Sequence, residues 1–542
     1  MKTNTLQRLL EVLIIIGFAI FPLFITFPYR AYLYLSWEGA YRLSEGQIPF
    51  RDFGLPLGGM YWVIPAIFFK ILGPQLITLV KAQVFINILS GLAVRSILKT
   101  LSVSPSIRIA GVFLYCLSFS FQNFWPWYNH TVIVYGFIGV AFVLKSIFGK
   151  TNSLQWLFLI LGSLFTFFSL FTKQDGGGLI FVLCCSLLIY CCWLERRWLP
   201  LAIYIGSAVL FIGIAVLVLH KYNFTYWFNY GQSPHNARIS YSDITNDFLN
   251  GSIWIKFYFF IILLLVMEKL KNQTWKNLLK EKEYMLFFLF TTGILCMATI
   301  LQVTSYIPSM GNMFFHTFAF VFIFQQLTFY LNINIKKGIF IVFLFAGISL
   351  WWSQLPWKYV ERLFIEKKNE GAVALSASGE NLVGMHNFIL REKDDEGNQG
   401  NWVTSDLYSL KKIKLPQSTL DGIKRLMSTD ILKLGKNLKV LNMSELTFLA
   451  KELPYSLEKN SAAPLWHHLG VGMFNNQLHM YEERIRNNYY DLVLFEYIPE
   501  LNNFFPFAVR DALKAYYQQV DVFDAPRSGK RPGTIEIYIK KP

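Results

Sequence analysis

Residues 59–72 read GMYWVIPAIFFKIL. Whether this stretch crosses a membrane decides the side on which everything after it lies. A crossing helix needs about 20 mainly apolar residues. This one is shorter and is interrupted by Pro65. It is expected to lie at the membrane interface or to re-enter rather than to span.

Working outward, eleven longer apolar stretches fit a crossing helix. They run approximately over 9–28, 74–95, 109–124, 131–148, 154–171, 177–194, 199–219, 253–267, 284–301, 313–331 and 338–353. Cytoplasmic loops carry an excess of Lys and Arg, so charge tests the choice made for 59–72. With the N-terminus cytoplasmic and 59–72 not crossing, sixteen basic residues fall in cytoplasmic loops and seven in the opposite ones. If 59–72 did cross, fourteen of those sixteen would change sides. The eleven-span arrangement therefore wins. It places the N-terminus inside and the C-terminal part outside. No small-residue cleavage site follows the first apolar run, so a removed signal peptide is not expected.

Composition agrees. The 542 residues are 54% hydrophobic, 17% aromatic and 15% charged, with a net charge of +16. Soluble chains carry about 25% charged residues. Residues 357–542 hold 25 basic and 23 acidic residues, a balance of +2, whereas 1–356 hold 25 and 11, a balance of +14. The excess sits beside membrane spans, where topology explains it better than a nucleic-acid partner does. The expected fold is an α-helical polytopic membrane protein: a transmembrane domain over 1–356, then a soluble extracytoplasmic α/β domain over 357–542. Segments 438–443, 491–497 and 534–540 read as strands. Segments 444–453 and 506–520 read as helices, the first capped by Ser444. The stretch 391–401 reads as a polar loop. All six Cys lie in expected spans as small packing residues.

Chemistry is expected on the outer side, where polar residues gather. Glu38 follows the first span, and Asp52 comes fourteen residues later in Phe50-Arg51-Asp52-Phe53. Carboxylates at a membrane boundary suit proton abstraction from a hydroxyl. The plainer alternative pairs them with Arg42 and Arg51 on a wet surface, and residue types alone favour it. Lys173-Gln174-Asp175 precedes three glycines. There a Lys could meet a lipid phosphate, or the run could be a tight interhelical turn with a snorkelling Lys. Lys81 is a charge within a span, a functional candidate by default, with snorkelling about as good an account. His130, Arg238 and His235 are further outer-side candidates. His316 suits a helix–helix hydrogen bond. Trp466-His467-His468 reads as a surface or packing feature. Metal-ligand spacings are absent, so a protein-built metal site is not indicated.

The first loop also carries a resemblance. An acidic residue just after the first span, then LSEGQIPFRDF and GGMYWVIPAIFFKILG, resembles the polytopic GT-C glycosyltransferases. It looks most like bacterial relatives of protein O-mannosyltransferases and of the aminoarabinose and lipopolysaccharide-core sugar transferases. The likeness covers residues 1–200 best and the tail weakly. It implies an inverting enzyme of the bacterial inner membrane. Such an enzyme takes a sugar from a polyprenyl-phosphate carrier to a lipid, glycan or protein acceptor on the outer face. It implies Glu38 as base, Asp52 as second loop carboxylate, and Lys173, Lys81 or Arg238 as phosphate ligands, with Asp175 and His130 lining the substrate site. Some members of that family use a divalent metal ion. Many have an Asp-Glu pair where this chain has Trp37-Glu38, which leaves the part of the base to Glu38 or to Asp52. A transporter or lipid flippase is the competing class, but no repeat of spans is seen. An O-antigen polymerase or ligase ranks third, because the outer loop 220–252 is only moderate in length.

Overall fold

The computed structural model describes the chain except residues 1–2, 30–32, 121–123, 150–152, 229–240, 272, 306–312, 335–337, 354, 358, 361–401, 435–437, 466, 500–504, 527–532 and 542. Arg238, His235 and the stretch 391–401 lie outside the described residues.

Up to residue 356 the described residues are mainly helical. In chain order the helices are α1 (Thr3–Ile20), α2 (Leu33–Ser44), α3 (Val63–Leu72), α4 (Leu76–Thr100) and α5 (Pro105–Leu117). There follow α6 (Tyr128–Phe148), α7 (Ser153–Leu170), α8 (Gln174–Glu195), α9 (Leu199–Leu219) and α10 (Tyr241–Asn250). The set closes with α11 (Ile253–Leu270), α12 (Trp275–Leu278), α13 (Lys282–Ser305), α14 (Met313–Tyr330) and α15 (Gly338–Trp351). Among the described residues, seven helices are long and apolar enough to cross a membrane: α1 with the turn after it, α4, α6, α7, α8, α9 and α13. The pair α10 and α11, bent by 79°, makes an eighth if it is one broken span. The chain is thus a helical, multi-pass membrane protein. Each of the eleven apolar stretches holds a helix, but α5, α14 and α15 are shorter than a full span. The stretch 109–124 is overextended: its helix ends at Leu117 and a single turn of tighter helix follows over Ser118–Ser120.

The stretch 59–72 forms one helical turn and then the ten-residue α3. Pro65 sits in the first turn of α3, where its missing N–H costs no intrahelical bond. Ten residues extend about 15 Å, half a bilayer core.

Beyond residue 401 the chain is mixed. A small sheet joins β1 (Phe27–Pro28), β3 (Ile413–Pro416) and β2 (Trp402–Thr404) in that order. A second sheet orders β4 (Val440–Met443), β5 (Leu492–Tyr497), β7 (Thr534–Lys540) and β6 (Tyr517–Asp524). β4 and β5 are parallel, and the other pairs are antiparallel. Helices α16 (Gln417–Met427), α17 (Leu449–Glu452), α18 (Phe474–Arg486) and α19 (Phe507–Tyr516) complete this part. Leu492–Phe495 are buried on both faces, as expected for a central strand. β6 is an edge: alternate polar residues and an irregularity between Gln519 and Asp521 blunt it against further pairing.

Two expectations for this part are corrected. The segment 444–453 contains only the single turn α17. Ser444 does not cap it; its hydroxyl donates to Asn442 Oδ1 (2.6 Å) and accepts from the Leu446 N–H (3.1 Å). The segment 506–520 is helical only to Tyr516, and Tyr517 begins β6. There the aromatic Tyr517 and β-branched Val520 and Val522 favour the strand.

The hydrophobic interior falls into two clusters. One lies among the membrane helices. The other joins the first loop to the C-terminal sheets: Trp37, Phe50, Phe53, Tyr61 and Trp62 share it with Leu441, Phe448 and Phe495. The first loop is therefore packed between the helices and the C-terminal part. Hydrogen bonds tie it there. Phe27 and Tyr29 donate N–H to the carbonyls of Lys412 (3.1 Å) and Lys414 (2.9 Å). Gly54 donates to the carbonyl of Ala463 (2.8 Å) and accepts from Leu465 (2.9 Å).

Candidate functional site

The sequence places Glu38 one turn into α2, a helix that opens thirteen residues after α1 ends. The helix seats deeply because Gly39 has no side chain. A Cβ there would lie 2.0 Å from Trp62 Cε2. Trp62 fixes the approach by donating Nε1–H to the Leu35 carbonyl (2.9 Å), and Trp37 donates to the Pro74 carbonyl (2.9 Å). α2 is thereby wedged against both α3 and the start of α4.

Glu38 is 7% exposed. Arg42, one turn on, reaches back to it with Nε (2.8 Å) and a second guanidinium nitrogen (2.7 Å), both on Oε1. Oε2 has no hydrogen-bond partner among the described residues. Arg42 is itself held by Gln47 Oε1 and the Glu458 carbonyl (2.8 Å each) and lies over the Phe53 ring. The pairing of Glu38 with Arg42 therefore exists, but in the interior rather than on a wet surface.

A cavity of about 80 Å³ opens against this pair. α2 supplies one wall with Tyr34, Glu38 and Arg42. The other wall comes from the C-terminal part, including Ser444, Thr447 and His467. Asp52, Lys81, His130, Lys173 and Asp175 do not line it.

Asp52 is buried and bound into its own turn. The Ile48 N–H (2.7 Å) and the Arg51 guanidinium (2.6 Å) hold its carboxylate. Partial burial raises its pKa, but the bonds from Arg51 and Ile48 outweigh that and leave it below the usual carboxylate value. A carboxylate so stabilised is a weaker base. Its carbonyl accepts from Asn460 (2.8 Å), another tie to the C-terminal part.

Lys173 and Asp175 form an ion pair (3.1 Å) around the start of α8, where Asp175 also suits the positive helix end. Lys173 lies over the Tyr128 ring. The glycines that follow serve close packing. A Cβ at Gly176 would meet Val132 at 2.8 Å, and one at Gly177 would meet the Leu170 backbone at 2.2 Å, whereas Gly178 faces open space.

Lys81 is half-buried, five residues into α4, and has no ion-pair or hydrogen-bond partner among the described residues. His130 sits in a polar knot between α4 and α6. Gln83 Nε2 donates to His130 Nδ1 (3.1 Å) and to Asn87 Oδ1 (2.8 Å). Nε2 of His130 has no partner among the described residues. His316 meets the Tyr258 hydroxyl (2.8 Å), joining α14 to α11 as expected.

Two features escaped the sequence reading. Glu11, fully buried in α1, takes Arg95 on Oε2 (2.5 Å) and Arg108 on Oε1 (2.7 Å). A charge inside an apolar stretch was the available signal. The second is the place of His467 in the cavity wall; its burial fits the packing reading of Trp466-His467-His468 rather than the surface one. Among the described residues no group of three His, Cys, Asp or Glu side chains could hold a metal ion, so the divalent ion of the resembling family finds no donor set here.

No protein-family model, no curated protein and no solved structure gives a significant match to this chain.

Proposed function

We propose that the chain is a GT-C-type glycosyltransferase. It moves a sugar from a polyprenyl-phosphate carrier to a hydroxyl-bearing acceptor at the outer face of a bacterial inner membrane. In this reading the chain crosses eleven times, with the N-terminus in the cytoplasm and the C-terminal part outside.

One observation carries the reading: Glu38, on the first helix after the first span, lines a cavity with Oε2 unbonded among the described residues while Arg42 fixes Oε1. A carboxylate fixed by one oxygen and free at the other is arranged to accept a proton. Oε2 takes the proton of the acceptor hydroxyl as its oxygen attacks the anomeric carbon. The bond from that carbon to the phosphate oxygen breaks, and the phosphate leaves with the electron pair. Attack opposite the leaving group inverts the centre. Asp52, held by Arg51 and Ile48, serves the loop's shape rather than the proton. Lys81, unpaired among the described residues, is better disposed to meet the phosphate than Lys173, which Asp175 engages. No step is routed through a metal ion.

The test compares envelope glycans, by mass spectrometry, from cells lacking the gene and the same cells given the wild-type or the Glu38→Gln protein. The wild type should restore a missing sugar substituent. The variant, inserted at equal level, should restore at most about a hundredth of it, the scale of a lost general base. Full restoration by Glu38→Gln would refute the role of Glu38.

A further inference from the structure

The far wall of the Glu38 cavity is built by β4 itself, by the loop that leaves it and by the segment around His467. β4 runs parallel to β5, and ligands of α/β sheets gather beyond the carboxyl ends of parallel strands. Two side chains in this wall carry unused hydrogen-bonding atoms. Thr447 Oγ1 and His467 Nδ1 are buried and have no partner among the described residues. In His467 the unused atom is a lone pair. Nε2 contacts the Phe474 carbonyl (3.3 Å), which can only accept, so Nε2 carries the proton. The ring is locked by stacking on Phe474, with centroids 4.4 Å apart.

The charges at the cavity cancel: Arg42 pairs with Glu38, and Glu458 pairs with Arg484. A phosphate would find no net attraction. Tyr34, Tyr455, Tyr481 and Phe505 supply flat apolar faces. About 80 Å³ accommodates roughly six water-sized groups, close to one sugar ring.

We infer that the C-terminal part forms the acceptor-positioning half of the site, taking a neutral saccharide whose hydroxyl groups bond Thr447 Oγ1 and His467 Nδ1. This rests on the transferase reading and names its acceptor class. His467 and Thr447 are positioning residues. They orient the acceptor so that another of its hydroxyls meets Glu38.

The test uses the full-length protein in lipid nanodiscs with ¹⁵N-labelled histidine. The probes are a panel of methyl α- and β-hexopyranosides and pentopyranosides. Binding is read by saturation transfer to the glycoside, and the His467 Nδ1 resonance by its ¹⁵N shift. At least one glycoside should bind saturably and move that resonance. Thr447→Val, which preserves shape, and His467→Phe should each weaken binding at least fivefold. His467→Asn, which keeps an acceptor near the Nδ1 position, should stay within twofold. No binding by any glycoside, or unchanged binding in both Thr447→Val and His467→Phe, would overturn the inference. Envelope glycans restored by Glu38→Gln would instead remove the transferase role of Glu38, leaving the binding result to stand by itself.

Discussion

Replacing Glu11 by Gln keeps the size of a wholly buried side chain and removes its charge. Two guanidinium groups then lose their partner at once, Arg95 from α4 and Arg108 from α5, with side chains only 19% and 11% exposed. Breaking a buried ion pair from one side costs about 3–5 kcal/mol, because the remaining charge is left desolvated and unpaired. Arg108 keeps only a long bond to the Val103 carbonyl (3.3 Å) as compensation. For a chain of 542 residues this amounts to roughly 1 °C per kcal/mol, so the apparent melting temperature should fall by roughly 3–5 °C. Size-exclusion recovery after heating purified wild type and variant measures this. A second arm strengthens it: adding Arg108→Gln to Glu11→Gln removes one stranded charge and should recover part of the loss, a non-additive result. A Glu11→Gln protein that melts within a degree of wild type would refute the triad as the staple of α1, α4 and α5.

Other outcomes follow from the same contacts. Burial lowers the pKa of His467 to about 4, against about 6.5 when unfolded, so the unfolded chain binds the extra proton between those values. The stabilisation is complete above pH 6.5 and is lost as pH falls toward 4, by about 3 kcal/mol. Thermal melts across that window should show the wild type losing stability faster than His467→Asn, and parallel curves would refute the assignment. Gly58→Ala should detach the first loop from the turn before α8, since its Cβ would lie 1.6 Å from the Phe171 carbonyl oxygen. Gly178→Ala, which meets nothing within 4 Å, should express normally, and equal recovery of the two from solubilised membranes would refute the packing argument. Reporter fusions at residues 102 and 360 should read cytoplasmic and external respectively. A tail reading cytoplasmic would reverse the proposed side of Glu38.

Helix positions were legible because burial in lipid demands long apolar runs, and such runs survive in sequence whatever they pack against. The short α3 was legible for the complementary reason: too few apolar residues and a proline at its start. The site was only half legible. Glu38 stood out by type and place, but its companions across the cavity lie more than 400 residues later, and no local pattern links Thr447 or His467 to it. Tertiary pairing also changed the meaning of residues read correctly by type. Arg95 and Arg108 entered the loop charge count as topology signals, yet both are committed to Glu11. Lys173 looked available to a phosphate until Asp175 was seen beside it, and the glycines after it proved to be helix contacts. The edge strand β6 was hidden because Tyr517 follows a helix directly, with no turn residue to mark the change. What a sequence cannot display is which charges have already found partners. In the proposed reaction that separates the two carboxylates: among the described residues Glu38 Oε2 has no hydrogen-bond partner, whereas both oxygens of Asp52 are engaged.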